Sequence, residues 1–153
     1  MNKNFLDIFS TKKPVIGMLH LDYLEGSPFY KGHDYVVNRA KNDIEKMQRG
    51  GIDGIIIENW KEDSVGEFVS LQTAESFMRV CRDISPFITV PFGVNVLNND
   101  YKVALDVAKA VGASFVELDV LVDEVRSDFS HSTAGVDSPF EIKIDPENVF
   151  EYA

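Results

Sequence analysis

The stretch Pro91-Phe92-Gly93-Val94-Asn95-Val96-Leu97-Asn98-Asn99-Asp100 constrains the fold more than any other part of the chain. Val94, Val96 and Leu97 favour a strand, Gly93 lets a backbone or a ligand come close, and Asn98 to Asp100 carry turn and helix-capping side chains. Tyr101, Ala104, Leu105, Ala108 and Val111 then recur at three- and four-residue steps, and Gly112 stands where a helix ends in a left-handed residue. The result is one strand-turn-helix unit. Strand side chains alternate, so Gly93 and Asn95 share one face while Val94 and Val96 take the face that the helix covers. A polar amide on the uncovered face asks for an enclosed interior there.

The unit repeats along the chain. Met1 to Lys13 reads as a short docking helix, and Pro14 to Leu21 is a compact apolar run, a buried strand with His20 near its far end. An irregular loop from Asp22 to Gly32, containing Gly26, Ser27 and Pro28, precedes a helix that Asp34 is expected to cap. Val36, Ala40, Ile44 and Met47 form its apolar stripe and Gly50-Gly51 its stop. Gly54 to Asn59 is a second strand, apolar until Glu58 and Asn59 end it, and such a strand needs cover on both faces. After a loop from Trp60 to Val69, Ser70 is expected to cap a helix built on Leu71, Ala74, Phe77, Met78, Cys81 and Ile84, which Pro86 ends. The fourth strand, Phe115 to Val120, alternates so that Phe115, Glu117 and Asp119 face one side and Val116, Leu118 and Val120 the other. From Leu121 to Ile144 the pattern loosens into a long loop holding Asp123, Glu124, Asp128 and His131, with a small hairpin around Phe140 to Ile144. Asp145-Pro146-Glu147 opens a last helix by its capping carboxylate and first-turn proline.

Composition bounds the function classes. A chain of 153 residues, 44% hydrophobic, buries one substantial core, so a single domain over 1–153 is expected. With 15 Lys and Arg against 25 Asp and Glu, the net charge of -10 disfavours an electrostatic grip on nucleic acid or anionic lipid. No run approaches the roughly 20 apolar residues of an integral membrane segment. Cys81 stands alone on an apolar helical face, which excludes an internal disulfide and predicts a buried thiol. Together these point to a cytoplasmic protein.

Four strand-helix alternations joined by long connections call for parallel crossovers. An open doubly wound sheet covers both faces with helices, whereas a (β/α)8 barrel turns one face inward. His20, Glu58, Asn95, Glu117 and Asp119 all fall opposite the helix-facing aliphatics, which selects an α/β fold of the TIM-barrel type. Four units make half of such a barrel. The chain therefore reads as an N-terminal half that ends within its fourth helix, and it is expected to form a homo-oligomer or to need a C-terminal half, because open strand edges invite pairing.

The strand ends supply the candidate chemistry, since barrel active sites lie there. His20 is a candidate general acid or base, because imidazole titrates near neutrality. Glu58 closes an apolar strand, where desolvation lifts a carboxylic pKa and suits it to proton transfer. Asn95 is an orienting or oxyanion-type donor, and Asn59, Asn98 and Asp119 are candidate substrate-binding residues. Each has a structural counter-reading: a hydrogen-bonded core histidine, an interior acid paired across the barrel, an amide joining strand ends, and turn or cap residues at Asn98, Asn99 and Asp100. Glu58, Glu117 and Asp119 with His20 also make an oxygen-rich set, so a divalent cation is a candidate cofactor. That spacing is generic, and no metal ligand is assigned from it.

Three segments carry a family likeness: Pro14-Val15-Ile16-Gly17-Met18-Leu19-His20-Leu21 with Gly26-Ser27-Pro28, Gly50-Gly51-Ile52-Asp53-Gly54 running into Glu58-Asn59, and Pro91 to Asp100. With them the chain resembles the BtpA family, also called BtpA/SgcQ, of TIM-barrel proteins, over about residues 14 to 120. The resemblance implies a barrel of the phosphate-binding (β/α)8 group, some members of which are labelled phosphoribosylanthranilate-isomerase-like. One expectation is an enzyme acting on a small, sugar-like, phosphorylated or unphosphorylated substrate by isomerase or lyase chemistry, with His20 and Glu58 as the acid/base pair and Asn95 orienting. The family name implies the alternative, a non-catalytic factor in photosystem I biogenesis. The fourth strand departs from the family pattern: where that pattern reads Phe-Ile-Arg-Val-Asn-Val and then a Thr-Asp-Gln-Gly-like turn, this chain has Glu117, Asp119 and then Ser127-Asp128-Phe129-Ser130. Glu117 replaces a basic residue and so removes one partner for a phosphate or carboxylate.

Overall fold

The computed structural model of the chain describes residues 5–61, 67–122, 124–127 and 140–153. Asp123, Asp128 and His131 lie outside those residues. Strands β1 (Ile16–His20), β2 (Gly54–Glu58), β3 (Phe92–Asn95) and β4 (Phe115–Val116) make one parallel sheet in the order β1-β2-β3-β4. Helices α2 (His33–Arg49), α3 (Leu71–Ile84) and α4 (Tyr101–Val111) follow the first three strands, preceded by a one-turn α1 (Phe5–Ile8). Leu19, Ile55, Ile57, Phe92 and Val94 meet Val36, Ala40 and Ile44 of α2, Phe77, Val80 and Ile84 of α3, and Ala104 and Val107 of α4 in one buried core. Cys81 lies inside it, fully buried, and burial pushes its thiol pKa up.

The register sorts the other sheet face into layers. Ile16 is level with Gly54; Met18 with Ile56, Gly93 and, through Gly93, Phe115; His20 with Glu58 and, through Glu58, Asn95. Side chains at one level on adjacent parallel strands point the same way, so each level is a floor of the barrel interior. Glycines on that face make room for aromatic rings. A Cβ on Gly93 would stand 2.3 Å from the Phe115 ring, and one on Gly54 would stand 2.7 Å from the ring of Phe9. The close approach that Gly93 permits is therefore made by a side chain from the next strand. Phe9 and Phe115 meet with centroids 5.8 Å apart and fill the lower interior beneath the polar layer.

Helix boundaries follow their capping chemistry. Ser70 Oγ accepts from Thr73 N at 3.1 Å, Asp100 Oδ1 accepts from Val103 N at 3.1 Å, and Gly112 ends α4 at φ 73°. Helix α2 differs from expectation: Gly32 occupies the cap without a side-chain bond, and Asp34 sits inside the first turn, where its charge meets the positive helix end. His33 opens that helix and its Nε2 lies 2.7 Å from Asp83 Oδ2.

The fourth strand is shorter than its alternation predicts. The ladder stops at Val116, with one further bond from Glu117 N to Val94 O at 2.9 Å. Beyond that the Asn99 amide takes over, donating to Val120 O at 2.8 Å and accepting from Val120 N at 3.0 Å. A side chain that satisfies both backbone groups of one residue competes directly with a neighbouring strand. Phe140, expected to open a small hairpin reaching Ile144, lies instead on β6 (Phe140–Lys143), which pairs antiparallel with β5 (Glu124–Ser127), a stretch expected to be loop. Helix α5 (Pro146–Tyr152) is capped by Asp145 and buries Val149 beside Tyr101, Val120 and Ile144.

Candidate functional site

The upper layer of the sheet brings His20, Glu58 and Asn95 side by side. His20 Nε2 lies 2.8 Å from Glu58 Oε2, and the two side chains differ sharply in access, 43% exposed against 6%. The imidazole thus faces solvent with the carboxyl behind it. Although the approach is short, Glu58 Oε2 has no aligned hydrogen-bond partner, and neither has Glu117 Oε2. Asn95 Nδ2 donates to Asp119 Oδ1 at 3.0 Å and also lowers the Glu117 pKa by hydrogen bonding. The indole of Trp60 stacks on the His20 ring, with centroids 4.9 Å apart and planes 16° from parallel.

These neighbours set the protonation states. Burial first, then the negative charges of Asp119 and Glu117, push Glu58 up to about 7. Glu117 is raised as well, by burial and by Asp119. Burial lowers His20. The layer therefore holds an imidazole shifted toward its neutral form beside a carboxyl group shifted toward its protonated form. Among the described residues, no group of three or more His, Cys, Asp and Glu is arranged to hold a metal ion.

The remaining sequence candidates fall at the rim and beneath it. Asn59 is 1% exposed; its Oδ1 accepts from Leu97 N at 2.7 Å, while its Nδ2 is buried without a partner. Asn98 is buried at the turn before α4, and Asp119 is exposed at the mouth. Asp100 is used twice, capping α4 and accepting from Val69 N at 3.1 Å, which ties the loop before α3 to the site.

A second cluster escaped sequence reasoning. Asp22, 5% exposed, continues the alternation that places His20 and takes an ion pair from Arg39 Nη1 on α2 and another from Lys61 Nζ at 3.0 Å. Burial alone would raise its pKa, but Lys61, the Tyr23 N–H and Arg39 outweigh that and hold it at about 2. Lys61 also stands 5.2 Å from the Tyr23 ring centroid. The one sequence signal was Asp22 two residues past His20; nothing in the order of residues links it to Lys61 or Arg39.

A parallel βα sheet with a histidine, two buried-edge glutamates and an asparagine gathered at its strand ends defines a protein of the TIM-barrel type. The chain belongs to the BtpA family, whose model matches residues 11–146. It is 38% identical over 117 residues to an uncharacterized protein of Pyrococcus horikoshii, covering 76% of this chain and 45% of that one. It is 34% identical over 122 residues to the photosystem I biogenesis protein BtpA of Synechocystis, covering 78% and 42%. The chain thus spans a little under half the length of these relatives. Among solved structures, a 7,8-dihydropteroate synthase from Vibrio fischeri superposes with a TM-score of 0.50 at 20% identity, over 67% of this chain and 36% of that one. That likeness concerns the fold alone. No described helix is long and apolar enough to cross a membrane.

Proposed function

We propose that the protein is an enzyme of acid/base type acting on a small sugar-like substrate, by isomerisation or elimination. The observation that carries the reading is the His20–Glu58 contact at 2.8 Å, with Glu58 pushed up to about 7 beside an exposed imidazole. In this reading neutral His20 meets the substrate and takes a proton from a carbon next to a carbonyl. Glu58 behind it is the reservoir that exchanges that proton, and Asn95 with Asp119 orients hydroxyl groups. Asn59 and Asn98 complete the polar rim.

The test is solvent exchange. The intact protein is incubated in D2O with a panel of small aldoses, ketoses and their phosphates, and deuterium incorporation is followed by NMR. His20→Ala and Glu58→Gln should each slow the exchange about 100-fold or more, the usual weight of a positioned acid or base. Exchange untouched by both substitutions would overturn the reading. Absence of any exchange would favour the non-catalytic assembly role that the name of the Synechocystis relative suggests.

A further inference from the structure

The mouth carries two opposite potentials a few residues apart. On one side stand Glu58, Glu117 and Asp119, where the charges acting on Glu58 are both negative. On the other stand Arg39 and Lys61, two cations sharing the buried carboxylate of Asp22. Lys61 spends one of its three N–H donors on Asp22, and Arg39 spends part of its fork there while its Nε lies 3.9 Å from Asp43. Their side chains stay 34% and 41% exposed, so the unspent donors reach solvent. Asp22 is 3% exposed at its side chain and pinned by the Tyr23 N–H at 3.0 Å as well, which fixes both cations at one place. Two long flexible side chains held by a buried carboxylate lose their freedom in the fold, before any ligand arrives.

We infer that Lys61 and Arg39, held by Asp22 at the ends of β1 and β2, form an anion subsite for the phosphate group of a small substrate whose reacting end lies at His20. The inference rests on the acid/base reading above and adds an orientation to it. An anion is repelled by the carboxylate side of the mouth and attracted to the Asp22 corner, so a phosphorylated sugar has one favourable way to lie. Trp60 joins the two ends: it follows Asn59, precedes Lys61 and stacks on His20. Arg39 offers a guanidinium fork suited to two phosphate oxygens, and Lys61 a point charge.

The experiment titrates the intact protein with inorganic phosphate by calorimetry and follows the Lys61 and Arg39 side-chain resonances. Lys61→Met and Arg39→Met should each weaken phosphate binding about tenfold, the scale of one lost charge-assisted contact. Lys61→Arg should retain binding within about twofold, because the charge and a donor to Asp22 persist. Arg49→Met, which removes a cation paired with Glu45 on the exposed end of α2, is the control and should change nothing. A fold check by near-ultraviolet circular dichroism accompanies each variant, and Lys61→Arg covers the case in which Lys61→Met unfolds. No phosphate binding, equal weakening in Arg49→Met, or indifference to Lys61→Met and Arg39→Met would overturn the inference. The parallel titration of His20 separates the two readings: perturbed His20 with no phosphate site leaves the acid/base reading standing, and an ordinary His20 with intact phosphate binding removes that reading alone.

Discussion

Glu58 and Asp22 are both about 95% buried and sit at the ends of neighbouring strands, yet their pKa values are driven in opposite directions, to about 7 and about 2. Partners decide the difference: two carboxylates face Glu58, an ammonium and a guanidinium face Asp22. The linkage signs follow. Between the ordinary carboxylic value and about 7, folded Glu58 holds a proton that the unfolded chain has released, so its contribution to stability is present at low pH and is lost as pH rises through that window. A gap of that width is worth on the order of 3 kcal/mol. Glu58→Gln should therefore be more stable than the parent above pH 7 and flatten the fall between pH 4.5 and 7, read by urea denaturation at a series of pH values. A parent whose stability does not decline across that window would contradict the assignment. Asp22 has the opposite sign: its stabilisation stands above the ordinary carboxylic range and is lost as pH falls toward 2. At this scale His20, Glu58 and Asn95 were legible in sequence, because strand alternation places a polar side chain on a defined face. Asp22 was passed over as a loop residue, since its two partners come from α2 and from the end of β2 and no local pattern joins them.

At the scale of elements, the alternation of residues 115–120 predicted six residues of strand and the ladder holds only Phe115 and Val116. Asn99 explains the shortfall. It belongs to the turn that precedes α4, and its amide claims both backbone groups of Val120. One residue before that pinch, Asp119 accepts from the Asn95 amide at 3.0 Å. Asn99→Ala should leave two buried backbone groups without partners, at about 1–3 kcal/mol each. Hydrogen exchange is the direct readout, with protection lost at Val120 while the amides of β2 and β3 keep theirs. Unchanged protection at Val120 would mean that the segment is held by other contacts. The units themselves, and the caps at Ser70 and Asp100, were readable because they rest on local periodicity and capping chemistry. The Gly32 cap of α2 was misread in favour of Asp34, since both are ordinary helix openers and only the backbone chooses between them.

At the scale of the molecule, half of a barrel interior is already organised in floors: the Phe9 ring over the Gly54 gap below, Met18, Ile56 and the Phe115 ring over the Gly93 gap between, and titratable groups at the top. The apolar floor withdraws Glu58 from water, and the carboxylates above deny it a countercharge. Both effects act together to keep a proton at the strand ends near neutrality. The chain spans under half the length of its BtpA relatives. The proton shared between His20 and Glu58 is the claim on which the functional account depends. Its most direct test is a paired NMR titration of the intact protein, following the Glu58 carboxyl carbon and the His20 ring in one sample. The account predicts a Glu58 midpoint near 7 with His20 below its usual value. A Glu58 midpoint in the ordinary carboxylic range, together with a His20 midpoint at or above 6.5, would contradict it.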